Sequence, residues 1–172
     1  MDVTFFAWAD EARFLPAGLR GKLPEAALGE HTWVTTYAPV LACPPNAEDG
    51  DYWYCRGECH TTPPANNAAR LLRSGLGDFE FARLIGRPND RFDGVGLKYG
   101  RDGVCHQMAN RILYATSLDR MHPLTAEGAK GYNLAVTLYG VYGGKRNHRV
   151  REEWQRITQE WNRRKRDQRP DG

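Results

Sequence analysis

Runs and alternations of apolar residues divide the chain into elements before any other property is considered. Residues 3–9, VTFFAWA, form a short apolar and aromatic run, the pattern of a buried strand. PAGLRGKLPEAALGE then carries Gly and Pro at intervals that prevent a long helix, so it reads as a connection delivering the chain to Glu30. EHTWVTTYAPV (30–40) is dense in β-branched and aromatic residues and ends at a proline, and DYWYCRGECH (51–60) has the same character. With the loop composition LACPPNAEDG between them, including an Asp-Gly turn signal, the two predict a hairpin. Symmetric closure sets Val40 against Asp51 and brings His31 opposite His60, whereas a bulge at Arg56 and Gly57 shifts the register by one residue and flips the face.

Farther along, short helices are predicted at about 66–73 and 78–85, interrupted by Gly75 and Gly77 and stopped at Gly86 and Pro88. VCHQMANRILYATS places apolar residues at 104, 108, 109, 112 and 113, which is helical spacing. Asp102 or Gly103 would cap that helix, leaving Cys105 in its first turn. YNLAVTLYGVYGG (132–144) has strand composition. HRVREEWQRITQEWNRRKRDQRPDG sets Val150, Trp154, Ile157 and Trp161 at steps of four, three and four, an apolar stripe on a charged helix that should dock on the body. The sum is an α+β fold, an antiparallel sheet packed against a cysteine-bearing helix with an added C-terminal helix. Residues 1–144 are assigned to the main domain, 145–166 to the docked basic helix and 167–172 to a flexible tail.

Composition narrows the picture. At 172 residues the chain is the size of one domain, and 18 Gly with 10 Pro favour a mixed fold over a helical bundle. No apolar run approaches the roughly 20 residues that span a bilayer, and MDVTFFAWADEARF lacks the basic start and long apolar centre of a signal peptide, so the expected location is cytoplasmic. Four cysteines (Cys43, Cys55, Cys59 and Cys105) are too few for a disulfide framework and are expected as thiols. Charge is asymmetric: residues 145–172 hold ten Lys/Arg against five Asp/Glu, and the remainder holds fourteen against sixteen.

Cys105 carries the chemistry. A thiol is a poor nucleophile until ionised, and its pKa of about 8.5 falls at a helix N-terminus beside a histidine. First-turn amides also serve as an oxyanion hole for acyl transfer. By position His31 is the expected base, and the hairpin count makes His60 the orienting group, with Glu58 on the same strand face as a competitor. His106 is adjacent to Cys105 but leaves the helix axis about 100 degrees away, which argues against it as the partner. Trp33, Trp53, Glu58, Gln107 and Gly103 are the expected substrate contacts, Gly103 because a glycine approach lets the backbone come close to a substrate. The ordinary alternative for Cys105 is a buried small hydrophobe, and for each histidine a strand-end imidazole satisfied by a backbone carbonyl.

A histidine on the strand after the first (GEHTWVTTY), a polar residue on the next (DYWYCRGECH) and then a cysteine opening a later helix (DGVCHQMANRIL) is similar to the circularly permuted NlpC/P60 branch of the papain-like superfamily. The matching order covers roughly residues 3–144. The resemblance implies an antiparallel sheet against the cysteine helix and thioester chemistry on amide or ester bonds, with Cys105 as nucleophile, His31 as base and His60 as orienting residue. A cysteine-dependent hydrolase or acyltransferase acting on a peptide or protein substrate is the leading expectation.

Two other constellations compete. The aromatic hairpin (Trp33, Tyr37, Tyr52, Trp53, Tyr54) with the basic C-terminal helix suits a non-catalytic module that binds nucleic acid or another polyanion. Cys55, Cys59 and His60, with Cys43 upstream, suggest zinc, but in an extended strand Cys55 and Cys59 lie about 13 Å apart. That is too far for one metal without a sharp turn, so no metal is assigned. The glycines at 96, 100 and 103 match neither dinucleotide nor phosphate-loop spacing, and no cofactor is expected.

Overall fold

The apolar and aromatic run of the first strand organises the sheet. In the computed structural model, which describes residues 2–11, 29–36, 69–86, 94–118 and 122–168, β1 (Asp2–Glu11), β2 (Glu30–Thr36) and β3 (Arg70–Asp78) form an antiparallel sheet in the order β2-β1-β3. Period two divides β1 into two faces. Val3, Phe5, Ala7 and Ala9 are buried in the core, and Thr4, Phe6, Trp8 and Asp10 on the other face are half-buried. Phe5, Ala7 and Ala9 pair with Thr36, Val34 and Thr32 of β2, so those three share the core face.

Four helices complete the α+β fold among the described residues: α1 (Phe79–Gly86), α2 (Cys105–Leu113), α3 (Tyr132–Tyr139) and α4 (His148–Asp167). All nine residues of α2 are buried, which makes it the central element; it runs into a 3-10 turn at Tyr114–Leu118. α1 begins where the Asp78 carboxylate accepts a hydrogen bond from the Phe81 amide at 2.9 Å. The stripe on α4 docks as its spacing predicts. Val150 and Trp154 are buried, Trp154 packs on Tyr114 and Tyr142, Trp161 stacks on Phe81 at 4.2 Å, and Lys165 reaches Asp78 at 3.1 Å. Part of the basic charge of α4 is compensated within the helix, because Arg163 and Arg164 pair with Glu160. None of the helices in the described residues is long and apolar enough to cross a membrane.

Two predicted elements are replaced. The helix expected at 66–73 is overturned by β3, which begins at Arg70 and pairs along β1 to Asp78. Its glycines are what the sheet needs: a Cβ on Gly75 would lie 2.9 Å from Leu124, and one on Gly77 would meet the Phe5 ring at 2.7 Å and the Ala115 carbonyl oxygen at 2.9 Å. The strand expected at 132–144 is instead α3, bounded by Gly131 and Gly140, both at φ +83°. Among the described residues no strand pairs with it, and the chain beyond it gives the carbonyls of Gly140, Val141 and Tyr142 to side chains of α2. A smaller correction concerns the start of α2, where Val104 rather than Asp102 or Gly103 is the cap and Gln107 Oε1 accepts from the Val104 amide at 3.0 Å. Asp102 is buried one turn earlier, accepting from the Lys98 amide and from Arg101 and Asn147. The hairpin partner expected at 51–60 lies outside the described residues, and the described partner of β2 is β1.

The Gly77 packing carries a prediction. Gly77→Ala should lose about 1–3 kcal/mol of stability, because the added methyl meets a backbone oxygen that has no rotamer to give. Equal urea midpoints for the variant and the parent would refute that account of β3.

Candidate active site

The site is assembled from the start of β2, the start of α2 and the turn that leads into α3. Cys105 is the first residue of α2, at the end where the helix dipole is positive and the first amides have no partner within the helix. Its Sγ lies 3.9 Å from the Glu30 carbonyl oxygen and 3.9 Å from His106 Nδ1. The residue is 4% exposed.

His106 is held on several sides. Nδ1 lies 3.0 Å from the Thr32 hydroxyl, the ring packs edge-on to Tyr132 at 5.8 Å, and the Lys130 backbone accepts a hydrogen bond from it. Nε2 is the nitrogen beside that turn, 3.9 Å from where a Cβ on Gly131 would stand. With the ring N–H committed to a carbonyl, Nδ1 carries the lone pair; it accepts from the Thr32 hydroxyl at 3.0 Å and stands 3.9 Å from Cys105 Sγ, whose S–H is directed at the Glu30 carbonyl. Burial pushes the His106 pKa down to about 4, against opposing pulls from the Glu30 charge and the Lys130 hydrogen bond. The ring is therefore neutral at pH 7 and in the form that accepts a proton.

His31 is placed differently from the expectation that made it the base. Successive strand residues face opposite sides, and Thr32 is the one aimed at His106. His31 takes the other face of β2, opposite Asp10, where it is buried and stacks on Trp33 at 5.2 Å and 15°. Burial, then the neighbouring His106, lowers its pKa to about 3. Trp33 is half-buried in that stack. Gln107 is fully buried and uses its amide on the Val104 N–H and, at 3.0 Å, on the Gly140 carbonyl, so it ties α2 to the end of α3. Gly103 is buried against Gln107, where a Cβ would meet the Gln107 Cβ at 2.8 Å. His60, Trp53 and Glu58 lie outside the described residues, as do Cys43, Cys55 and Cys59. Among the described residues no cluster of three or more His, Cys, Asp or Glu is placed to hold a metal.

Sequence reasoning passed over His106, Thr32 and Glu30. The 100-degree step between neighbours holds for Cα–Cβ directions, but Nδ1 is only two bonds beyond Cβ, and side chains at a helix start lean together toward the N-terminus. The available signal was the alternation of β2: any residue of its helix-facing set, Glu30 or Thr32, stands beside whatever opens α2. Comparison with family models, with curated proteins and with solved structures gives no match for this chain.

Proposed function

We propose that the protein is a cysteine-dependent hydrolase or acyltransferase that opens an amide bond of a peptide or protein through an acyl-thioester at Cys105, with His106 as general base. The observation that supports this reading is the approach of a neutral imidazole lone pair to the thiol at a helix N-terminus, with the far side of the ring held by the Lys130 backbone. Sγ attacks the amide carbon as the thiol proton passes to Nδ1; the imidazolium then protonates the leaving nitrogen and the C–N bond breaks. Water, or an amine in a transfer reaction, attacks the thioester and returns the proton to sulfur. Burial disfavours the imidazolium at rest, so His106 waits as the neutral base. The NlpC/P60 resemblance and a cytoplasmic location belong to the same proposal, and no cofactor enters it.

The test is the pH dependence of Cys105 alkylation by iodoacetamide, read by peptide mass spectrometry in the parent, His106→Asn and His31→Asn. The expected loss in His106→Asn is about 100-fold, the lower end of general-base effects, with the remaining reaction following an ordinary thiol near pH 8.5. His31→Asn should stay within about threefold of the parent, as expected of a residue on the other face of the strand. A parent Cys105 labelling no faster than Cys43, Cys55 and Cys59 would refute the proposal, as would a His106→Asn profile identical to the parent.

A further inference from the structure

The turn that holds His106 is itself tied down by one side chain. Glu30 opens β2 on the helix-facing set, two residues before Thr32. Its amide donates to the Lys130 carbonyl oxygen at 2.9 Å, and its carboxylate Oε2 accepts from the Lys130 amide at 2.8 Å. Both polar groups of one peptide-bonded residue are thus read by Glu30. The same Oε2 accepts from Arg70 Nη2 at 2.7 Å, and that nitrogen also donates to the Gly128 carbonyl at 3.2 Å. Arg70 reaches Glu30 from β3 across β1, where Arg70 pairs with Ala9 and Glu30 with Glu11. Glu30 is only 10% exposed in its side chain, and its own carbonyl is the one facing Cys105 Sγ.

The geometry points to Glu30 as a positioning residue for the Cys105–His106 pair, holding the 128–131 turn so that the Lys130 carbonyl selects the His106 tautomer whose lone pair faces the thiol. The inference rests on the reading of that pair as nucleophile and base. Lys130 oxygen has two lone pairs, one for the Glu30 amide and one for the imidazole, so moving the turn moves the ring. The carboxylate also stands near enough to favour the imidazolium that forms when the thiol gives up its proton.

The experiment uses the full chain labelled with ¹⁵N, in the parent, Glu30→Gln, Glu30→Ala and Arg70→Ala. Long-range ¹H–¹⁵N spectra report the His106 tautomer and its titration, independent of any reactivity, and iodoacetamide labelling reports Cys105. In Glu30→Gln the His106 midpoint should fall by about half a unit or more, as removal of a nearby negative charge requires, and Cys105 labelling should slow by about threefold or more. Glu30→Ala should in addition populate the second tautomer. Arg70→Ala, which keeps the carboxylate, should preserve the tautomer. If Glu30→Ala does not fold, Glu30→Gln and Arg70→Ala carry the test. An unchanged His106 tautomer and titration in folded Glu30 variants overturns the inference. A parent Cys105 with ordinary thiol reactivity but Glu30-dependent ring spectra would count against the nucleophile reading alone.

Discussion

Lowering the pH from 7 to 5 should remove about 3–4 kcal/mol of folding stability, nearly all of it through His31 and His106. Both imidazoles are buried, and burial holds their folded-state values at about 3 and about 4. In the unfolded chain each returns to about 6.5. Between those limits the unfolded state binds more protons than the folded state, so stability rises with pH, is fully present above about 6.5, and is lost as pH falls toward the folded values. With two such groups the slope approaches about 2.7 kcal/mol per pH unit in the middle of the window. The check is urea unfolding at pH 7 and pH 5 for the parent, His31→Asn and His106→Asn. Each replacement should halve the pH dependence, whatever it does to stability at pH 7. A parent whose stability is flat across this range would mean that these rings are not buried as neutral species.

The second large effect is expected at Arg111, where alanine should cost about 3–5 kcal/mol. Arg111 lies in the last turn of α2 with 1% of its surface exposed. Its Nε donates to the Tyr142 carbonyl at 2.6 Å, Nη1 donates to the Val95 carbonyl at 2.7 Å, and the guanidinium lies 4.4 Å from the Trp154 ring centroid. Burial lowers its pKa to about 9, so it remains charged at pH 7 while Glu153 and Asp102 offset part of the cost. Truncation leaves two carbonyls without their donor and a void between α2 and α4. It also frees Val95, a β-branched residue at φ +48° whose strained backbone is held by that hydrogen bond. Arg111→Met keeps volume and the contact with Trp154 and removes a buried charge, so its loss should be smaller, about 1–2 kcal/mol. Urea unfolding followed by tryptophan fluorescence separates the two variants. An alanine variant within about 0.5 kcal/mol of the parent would contradict the bonding described.

These effects concern residues that patterning alone treats unequally. Arg111 reads as a polar interruption of a helical stripe and carries no sign that three separate segments converge on it. His106 reads as a poor partner for its neighbour, and His31 as a good one, because sequence spacing describes directions along one element and says nothing of which face a second element covers. Strand parity was legible in EHTWVTT; the assignment of Thr32, and not His31, to the covered face depended on where α2 packs.

What the sequence determined by itself was local: β1 from its apolar run, α1 after Asp78, the helix opened by Cys105, and α4 with its Val150, Trp154, Ile157 and Trp161 stripe, each set by periodicity and end signals within a few turns of chain. Only the tertiary structure decided that 70–78 would be a strand and 132–139 a helix. Gly75 and Gly77 break a helix but fit beneath Leu124 and Phe5 in a sheet, and β-rich YNLAVTLY pairs with none of the described strands while α2 takes the carbonyls that follow it. The candidate site belongs to the same class of outcome. A hydrogen-bonded pairing between Glu30 and Lys130, a hundred residues apart, brings the turn to the imidazole, and no pattern along the chain encodes a contact of that range.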